Sequence, residues 1–280
     1  MTKNISFIIF TFNEEKRIEL LVRNLRPYGE VFLLDGGSTD RTKEIAESFG
    51  AKFVVRPKSE KVQVETQEML EFAKTLIRTE WIFWSYVDNF LPKTLLEEIT
   101  KISQENKYSY VYVPIDTYLW GESQVPVISA SYSCFFKKDK VNFGENRIHG
   151  MGKFTGPKEE ILHLPKNKDF SMRHYSLYDL TKFVSGHVRY ASAEAEERFK
   201  DGKRFSIYYM FGSMARYFWL FYKKGWRAGV RGVYGALLYS FFRLMMAVRL
   251  YELEHGVNLE TIEQEYQKEK LKIVKEVEIQ

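Results

Sequence analysis

The feature that most limits what this chain can fold into is a pair of short, unbroken apolar runs within its first forty residues. Phe7-Ile8-Ile9-Phe10-Thr11-Phe12 stops at Asn13-Glu14, and Val31-Phe32-Leu33-Leu34 stops at Asp35-Gly36-Gly37-Ser38-Thr39-Asp40. A short apolar run without polar alternation is how a strand buried on both faces reads, and such strands belong to parallel sheets covered by helices. Helical spacing follows each run. Ile18, Leu21, Val22 and Leu25 share one face of the stretch 14–25, and a second helix over 40–48 ends before Gly50, placed as its C′ glycine. In open α/β sheets ligands bind beyond the carboxyl ends of the strands. Both ends here carry acids, which accept from N–H and hydroxyl groups, and small residues, which let a ligand approach the backbone.

The pattern repeats downstream. Lys52–Arg56 reads as a third strand, and 65–77 as a helix with Met69, Phe72, Ala73 and Leu76 at helical spacing. Trp81-Ile82-Phe83-Trp84-Ser85-Tyr86-Val87-Asp88 is an apolar strand ending in an acid, and Pro92 opens a helix as its N1 residue. Tyr108–Pro114 and Ser133–Phe136 read as strands, and 141–163 as loop. Alternating βα units predict an α/β fold with a mostly parallel sheet flanked by helices. From about Ser176 strand signals stop, so the expected division is 1–175 and a helical region 176–280.

Charge is concentrated in that second part. The net charge is +5, yet Arg198, Lys200, Lys203, Arg204, Arg216, Lys223, Lys224, Arg227 and Arg231 face only Asp201. They lie in and between two helices rich in Phe, Tyr, Trp, Leu and Met. The run Val233–Leu253 has the length of a membrane span, but Arg243 and Arg249 interrupt it. A basic, aromatic pair at a membrane surface is the expected partner reading; a helical subdomain packed on the sheet, or a homodimer contact, is the alternative. No recognition motif supports nucleic acid as a partner. Cys134 is the single cysteine, which excludes an intramolecular disulfide and predicts a small buried hydrophobe in a reducing compartment. The first apolar run has strand length and meets Asn13-Glu14-Glu15 directly, so the expected location is the cytoplasm, free or peripheral on the inner face of the plasma membrane.

The acids and small residues also have plain structural readings. Asn13 is able to cap a helix, Thr11 and Glu14 to form a capping box, and Ser38 and Asp40 to cap the second helix. Their combination points further. A strand ending in Thr11-Phe12-Asn13-Glu14, then Asp35-Gly36-Gly37-Ser38-Thr39-Asp40-Arg41-Thr42, then a strand ending at Asp88, resembles the family 2 glycosyltransferases with a GT-A fold. The likeness covers about the first hundred residues. A weaker likeness through His174-Tyr175-Ser176, Lys223-Lys224-Gly225-Trp226 and Arg249-Leu250-Tyr251-Glu252-Leu253 is to bacterial lipopolysaccharide-core β-glucosyltransferases.

The resemblance implies that Thr11, Asn13 and Glu14 line a nucleotide pocket and that Asp35 accepts from a uracil-like N–H. Gly36, Gly37 and Ser38 would shape its wall. Asp88 matches the last acid of an Asp-x-Asp motif, expected to hold Mg²⁺ or Mn²⁺ on the donor diphosphate, with His174 as a second ligand or a diphosphate contact. The chain departs from the pattern in three places. Tyr86 stands where the first acid belongs, Gln67-Glu68 where relatives have Arg-Asn, and His149-Gly150 where relatives place His-Glu, whose carboxylate serves as base. Glu145 is then the nearest catalytic base, with Asp116 as another candidate. The implied activity is inverting transfer of a sugar from a nucleotide-diphosphate donor to a cell-envelope glycan or lipid-linked acceptor. Two alternatives follow from the departures. The acceptor is a polyprenyl phosphate, already ionised and needing no strong base, or the fold is degenerate and binds nucleotide without turnover.

Overall fold

The computed structural model describes residues 4–278 except 60, 106, 147–149 and 177. The chain begins with β1 (Ile5–Thr11), α1 (Ile18–Leu25), β2 (Glu30–Asp35), α2 (Thr42–Ser48) and β3 (Lys52–Val55). After α3 (Gln67–Leu76) come β4 (Trp81–Tyr86), the two-residue β5 (Asn89–Phe90) and α4 (Lys93–Gln104). β6 (Tyr110–Leu119), β7 (Ile128–Lys137), β8 (Val141–Asn142), β9 (Lys153–Phe154), β10 (Ile161–His163) and β11 (Met172–Ser176) complete the strands.

The main sheet has nine strands in the order β3-β2-β1-β4-β7-β6-β11-β5, with β10 beside β6. β1 lies between β2 and β4 and is parallel to both, which pairs Thr11 with Asp35 and Phe10 with Tyr86. That register brings three strand ends to one rim. β7 runs antiparallel to its neighbours β4 and β6. Every residue of β1 is buried. Phe7 and Ile9 pack with Leu21, Val22 and Leu25 of α1 and Leu95 and Ile99 of α4. Ile8 and Phe10 point the other way, to Met69, Leu70 and Ala73 of α3. Two covered faces explain the continuous apolar run, and each such side chain contributes about 1.5–3 kcal/mol. This is the α/β sheet flanked by helices that the alternating βα pattern predicts.

Local departures have local causes. α1 starts at Ile18, not at Glu14, and its N-cap Arg17 makes no side-chain cap bond. The Glu14 and Glu15 amides donate instead to Thr42 Oγ1 at 2.7 Å and Asp40 Oδ2 at 3.1 Å. Neither cap reading of Asn13 or of Thr11 with Glu14 is realised. Pro92 is the N-cap of α4, one residue before the expected N1. The stretch expected as loop over 141–163 carries β8, β9 and β10, each two or three residues long. β6 and β7 run well beyond the expected 108–114 and 133–136. Cys134 is buried, and burial pushes its thiol up to about 12.

Two compact units make up the molecule: Met1–Asp179 with Lys224–Gly232, and Leu180–Lys223 with Val233–Gln280. In the first, Lys224 Nζ donates to Ser129 O at 3.0 Å, Arg231 pairs with Glu122 at 3.8 Å, and Gly225 and Gly232 meet backbone to backbone. The second is helical. α5 (Leu180–Lys200), α6 (Ile207–Gly225), α7 (Val230–His255) and α8 (Leu259–Glu278) supply it. Its core is Ala191, Ala195, Phe242, Met246 and Leu250. α7 is long and apolar enough by length and composition to cross a membrane. Its Arg243 is 2% exposed and satisfied within the unit, by both carboxylate oxygens of Glu194 at 2.8–2.9 Å and by Ser213 Oγ at 3.0 Å.

Candidate active site

At the rim, the carboxyl end of β2 is organised by one side chain. Asp35 is fully buried. Its Oδ1 accepts from the amides of Gly37 at 2.8 Å and Ser38 at 2.6 Å, and its Oδ2 accepts from Thr11 Oγ1 at 2.9 Å and Ser38 Oγ at 2.5 Å. The carboxylate therefore shapes the turn from inside, with Gly37 at φ +96°, a conformation open to glycine. Gly36 closes the turn by donating to Thr11 O at 2.9 Å.

The β1 end is stitched to that turn. Asn13, itself at φ +55°, donates its amide to Ser38 Oγ at 2.7 Å and accepts from Thr39 N at 2.9 Å. The Glu14 carboxylate is gripped by Arg17 through Nε and Nη2 at 2.5–2.6 Å. The Arg17 guanidinium lies 4.4 Å from the centre of the Tyr178 ring. Burial lowers the Arg17 pKa, but the bonds to Tyr178 and Glu14 outweigh it and the net shift is upward. Thr11, Asn13, Glu14, Asp35, Gly36, Gly37 and Ser38 thus form one connected rim.

Asp88 follows β4 and precedes β5, which pairs antiparallel with β11 so that Asn89 faces His174. Asp88 Oδ1 lies 3.4 Å from His174 Nδ1, and that nitrogen is 2.7 Å from Asn89 Oδ1. The Asp88 carbonyl accepts from Tyr175 N at 2.9 Å. Burial raises the Asp88 pKa, but the charges of His174 and Arg17 outweigh it and hold the carboxyl below its usual range. For His174 burial is again opposed by its partner, and Asp88 leaves the imidazole above its ordinary value. Asp88 Oδ1 is shut off from solvent, and its contact with His174 Nδ1 at 3.4 Å is long for a hydrogen bond. A carboxylate oxygen held this loosely is a donor suited to a hard cation. Among the described residues no group of three metal-ligating side chains gathers. Asp88 with His174 would therefore supply two protein ligands and leave the rest to the diphosphate and water.

Glu145 is exposed in the turn closed by Asn146 N on Phe143 O. Asp116, on β6 opposite Arg173, accepts from Ser129 Oγ at 2.6 Å. His149 lies outside the described residues. One acid escaped the sequence reading: Glu65, 6% exposed, accepts a hydrogen bond from the Tyr86 phenol. Burial pushes its pKa up. The residues after it help line a cavity of about 450 Å³, whose wall includes Lys58, Lys61, Thr66, Gln67, Glu68 and Phe143.

Residues 6–164 match the sequence profile of glycosyl transferase family 2. An uncharacterized glycosyltransferase of Rickettsia bellii is 28% identical over 282 residues, covering 95% of this chain and 92% of its own. Another, from Rickettsia conorii, is 25% identical, covering 90% of this chain and 91% of its own. Among solved structures, glucosyl-3-phosphoglycerate synthase from Mycobacterium tuberculosis in complex with Mn²⁺, uridine diphosphate and phosphoglyceric acid aligns with a TM-score of 0.41 at 16% identity, covering 68% of this chain and 77% of that one. A mycobacterial protein aligns with a TM-score of 0.44 at 14% identity, covering 70% and 74%.

Proposed function

This chain belongs to glycosyl transferase family 2, and from that premise we propose that it is an inverting, metal-assisted hexosyltransferase. It takes a sugar from a nucleotide-diphosphate donor and passes it to a cell-envelope glycan of the lipopolysaccharide-core type, or to a lipid-linked acceptor. The observation that carries this reading is the convergence of the β1, β2 and β4 ends on one rim, with the buried Asp88 carboxylate beside His174.

In this reading the acceptor oxygen attacks the anomeric carbon as the bond to the diphosphate oxygen breaks, and the configuration inverts. Mg²⁺ or Mn²⁺, held by Asp88 and His174, would neutralise charge on the leaving diphosphate. The rim built by Asp35, Asn13 and Ser38 holds the nucleotide in place. Arg17 adds a fixed positive charge next to Asp88. The acceptor proton passes to Glu145, which its exposed turn leaves accessible; a phosphate acceptor has no such proton to lose.

The acceptor side is read from the helices. From Gly202 to Tyr251 the chain carries nine lysines and arginines and no carboxylate. Tyr208, Phe211, Trp219 and Trp226 are exposed within the same stretch. Apolar rings beside cations suit the anionic, cytoplasmic face of a membrane, where a lipid-linked acceptor resides.

The test is a thermal-shift panel of nucleotide sugars with and without Mn²⁺, followed by a transfer assay on the donor that binds. The expected result is a metal-dependent rise in melting temperature and turnover that Asp88→Ala abolishes. Nucleotide binding indifferent to metal, with no turnover of any donor, would favour the degenerate alternative.

A further inference from the structure

β4 ends in Tyr86, where the family pattern calls for an acid, yet an acid is present at that spot. Tyr86 donates its phenol to Glu65, which belongs to a different element. Glu65 directly precedes Thr66, the N-cap of α3, whose hydroxyl accepts from Met69 N at 3.2 Å. The Tyr86 ring packs on Phe10 at 5.9 Å, so the pair stands at the β1–β4 rim. The same segment anchors the turn that carries Glu145. Glu65 O accepts from Asn146 Nδ2 at 2.9 Å, and Gln67 Oε1 accepts from Phe143 N at 2.8 Å. A cavity of about 450 Å³ is lined by the residues that follow Glu65 in the chain, Thr66, Gln67 and Glu68, with Lys58 and Lys61 also on its wall. Its volume is that of a small-ligand site.

A carboxylate buried next to a phenol carries a desolvation penalty that glutamine or leucine there would not. Buried acids with a shifted pKa cluster at binding and catalytic sites. Ribose hydroxyls are the complement, because an ionised carboxylate accepts from two of them at once. We propose that Glu65, oriented by Tyr86, recognises the donor: it restores from the α3 segment the carboxylate missing from β4 and accepts a ribose hydroxyl of the nucleotide diphosphate. This inference rests on the transferase reading and adds a residue to it.

The experiment is calorimetric titration of the full chain with UDP, GDP, CDP and ADP, each with Mn²⁺. The diphosphate that binds is then compared with its 2′-deoxy and 3′-deoxy counterparts. Wild type should prefer the ribonucleotide over one deoxy form by about tenfold or more, the scale of a hydrogen bond to a charged group. Glu65→Gln should weaken ribonucleotide binding by a similar factor and reduce the deoxy preference to within about twofold. Adding Tyr86→Asp to Glu65→Gln should recover most of both, since the acid then returns to β4. Unchanged affinity and preference in Glu65→Gln would overturn the proposal. An equal loss for ribo and deoxy ligands would overturn it too, because that marks a side chain that only supports the fold. If wild type binds none of the diphosphates, the transferase reading itself fails and this inference falls with it.

Discussion

Asp35, with four accepted hydrogen bonds, and Glu65, with a phenol for company, represent opposite uses of a buried carboxylate. Asp35 is compensated on both oxygens by the turn it shapes. Asp35→Ala would leave two amides and two hydroxyls to find new partners, and should lower unfolding stability by about 2–4 kcal/mol in a denaturant titration. Nucleotide binding should go with it, as the Gly37–Ser38 turn loses its centre. Glu65 has a folded pKa raised by burial, although the Tyr86 phenol, the Trp84 indole and the Val64 and Glu65 backbone oppose that rise, with the Tyr132 phenol more distant. Between its unfolded value of about 4.3 and its folded value, the native state binds more protons than the unfolded chain. Stability is therefore lost as pH rises through that window. Glu65→Gln removes the titration, so its melting temperature relative to wild type should climb from pH 4 to pH 8 in a scanning experiment. A flat difference across that range would mean the carboxylate is not desolvated. Together with the binding test, the expected outcome is a variant more stable at pH 8 and poorer at holding its ligand.

Elements differ in how openly the sequence declares them. β1, β2 and β4 were legible because strands with two covered faces read as continuous apolar runs, and because Asp35 and Asp88 mark where they end. The start of α1 was not legible. Its preceding amides are satisfied by Thr42 and Asp40, residues distant in sequence, so no local cap signals it. β8, β9 and β10 are too short to show a period. Glu65 was invisible for another reason: an acid just before a helix reads as an ordinary first-turn charge, and only the fold shows it buried against Tyr86. The crossing between the end of α6 and the start of α7 was equally hidden. A Cβ on Gly232 would lie 1.8 Å from Gly225 O, backbone that has no rotamer to yield. Gly232→Ala should therefore force the two segments apart and cost about 1–3 kcal/mol, measurable as a lower denaturation midpoint. Gly186→Ala, with open space around its Cβ, is the control and should be neutral or slightly stabilising.

At the scale of the whole molecule the question is why a modest net charge is so unevenly distributed. Arg243 is accounted for inside the helical unit by Glu194, but Lys203, Arg216, Lys223 and Arg227 are exposed. Arg227 stacks its guanidinium 5.5 Å from the Trp226 ring, itself 55% exposed, and Trp219 is 63% exposed. Exposed indoles next to cations suit a lipid headgroup layer, where the rings enter the apolar boundary as the charges meet phosphate. The full chain should therefore sediment with vesicles containing anionic phosphatidylglycerol and not with neutral phosphatidylcholine. Binding should weaken sharply as salt rises, because the Debye length falls from about 10 Å at 0.1 M to about 3 Å at 1 M. Each surface cation is worth about 1 kcal/mol near such a membrane. Replacing Arg216, Lys223 and Arg227 by Gln should thus reduce partitioning by roughly a hundredfold, while Trp219→Ser should reduce it at every salt concentration. Soluble nucleotide-sugar binding at the rim should remain as in wild type in both variants. No partitioning into either kind of vesicle would remove the membrane from the account, and equal partitioning into both would remove the cations as what selects it.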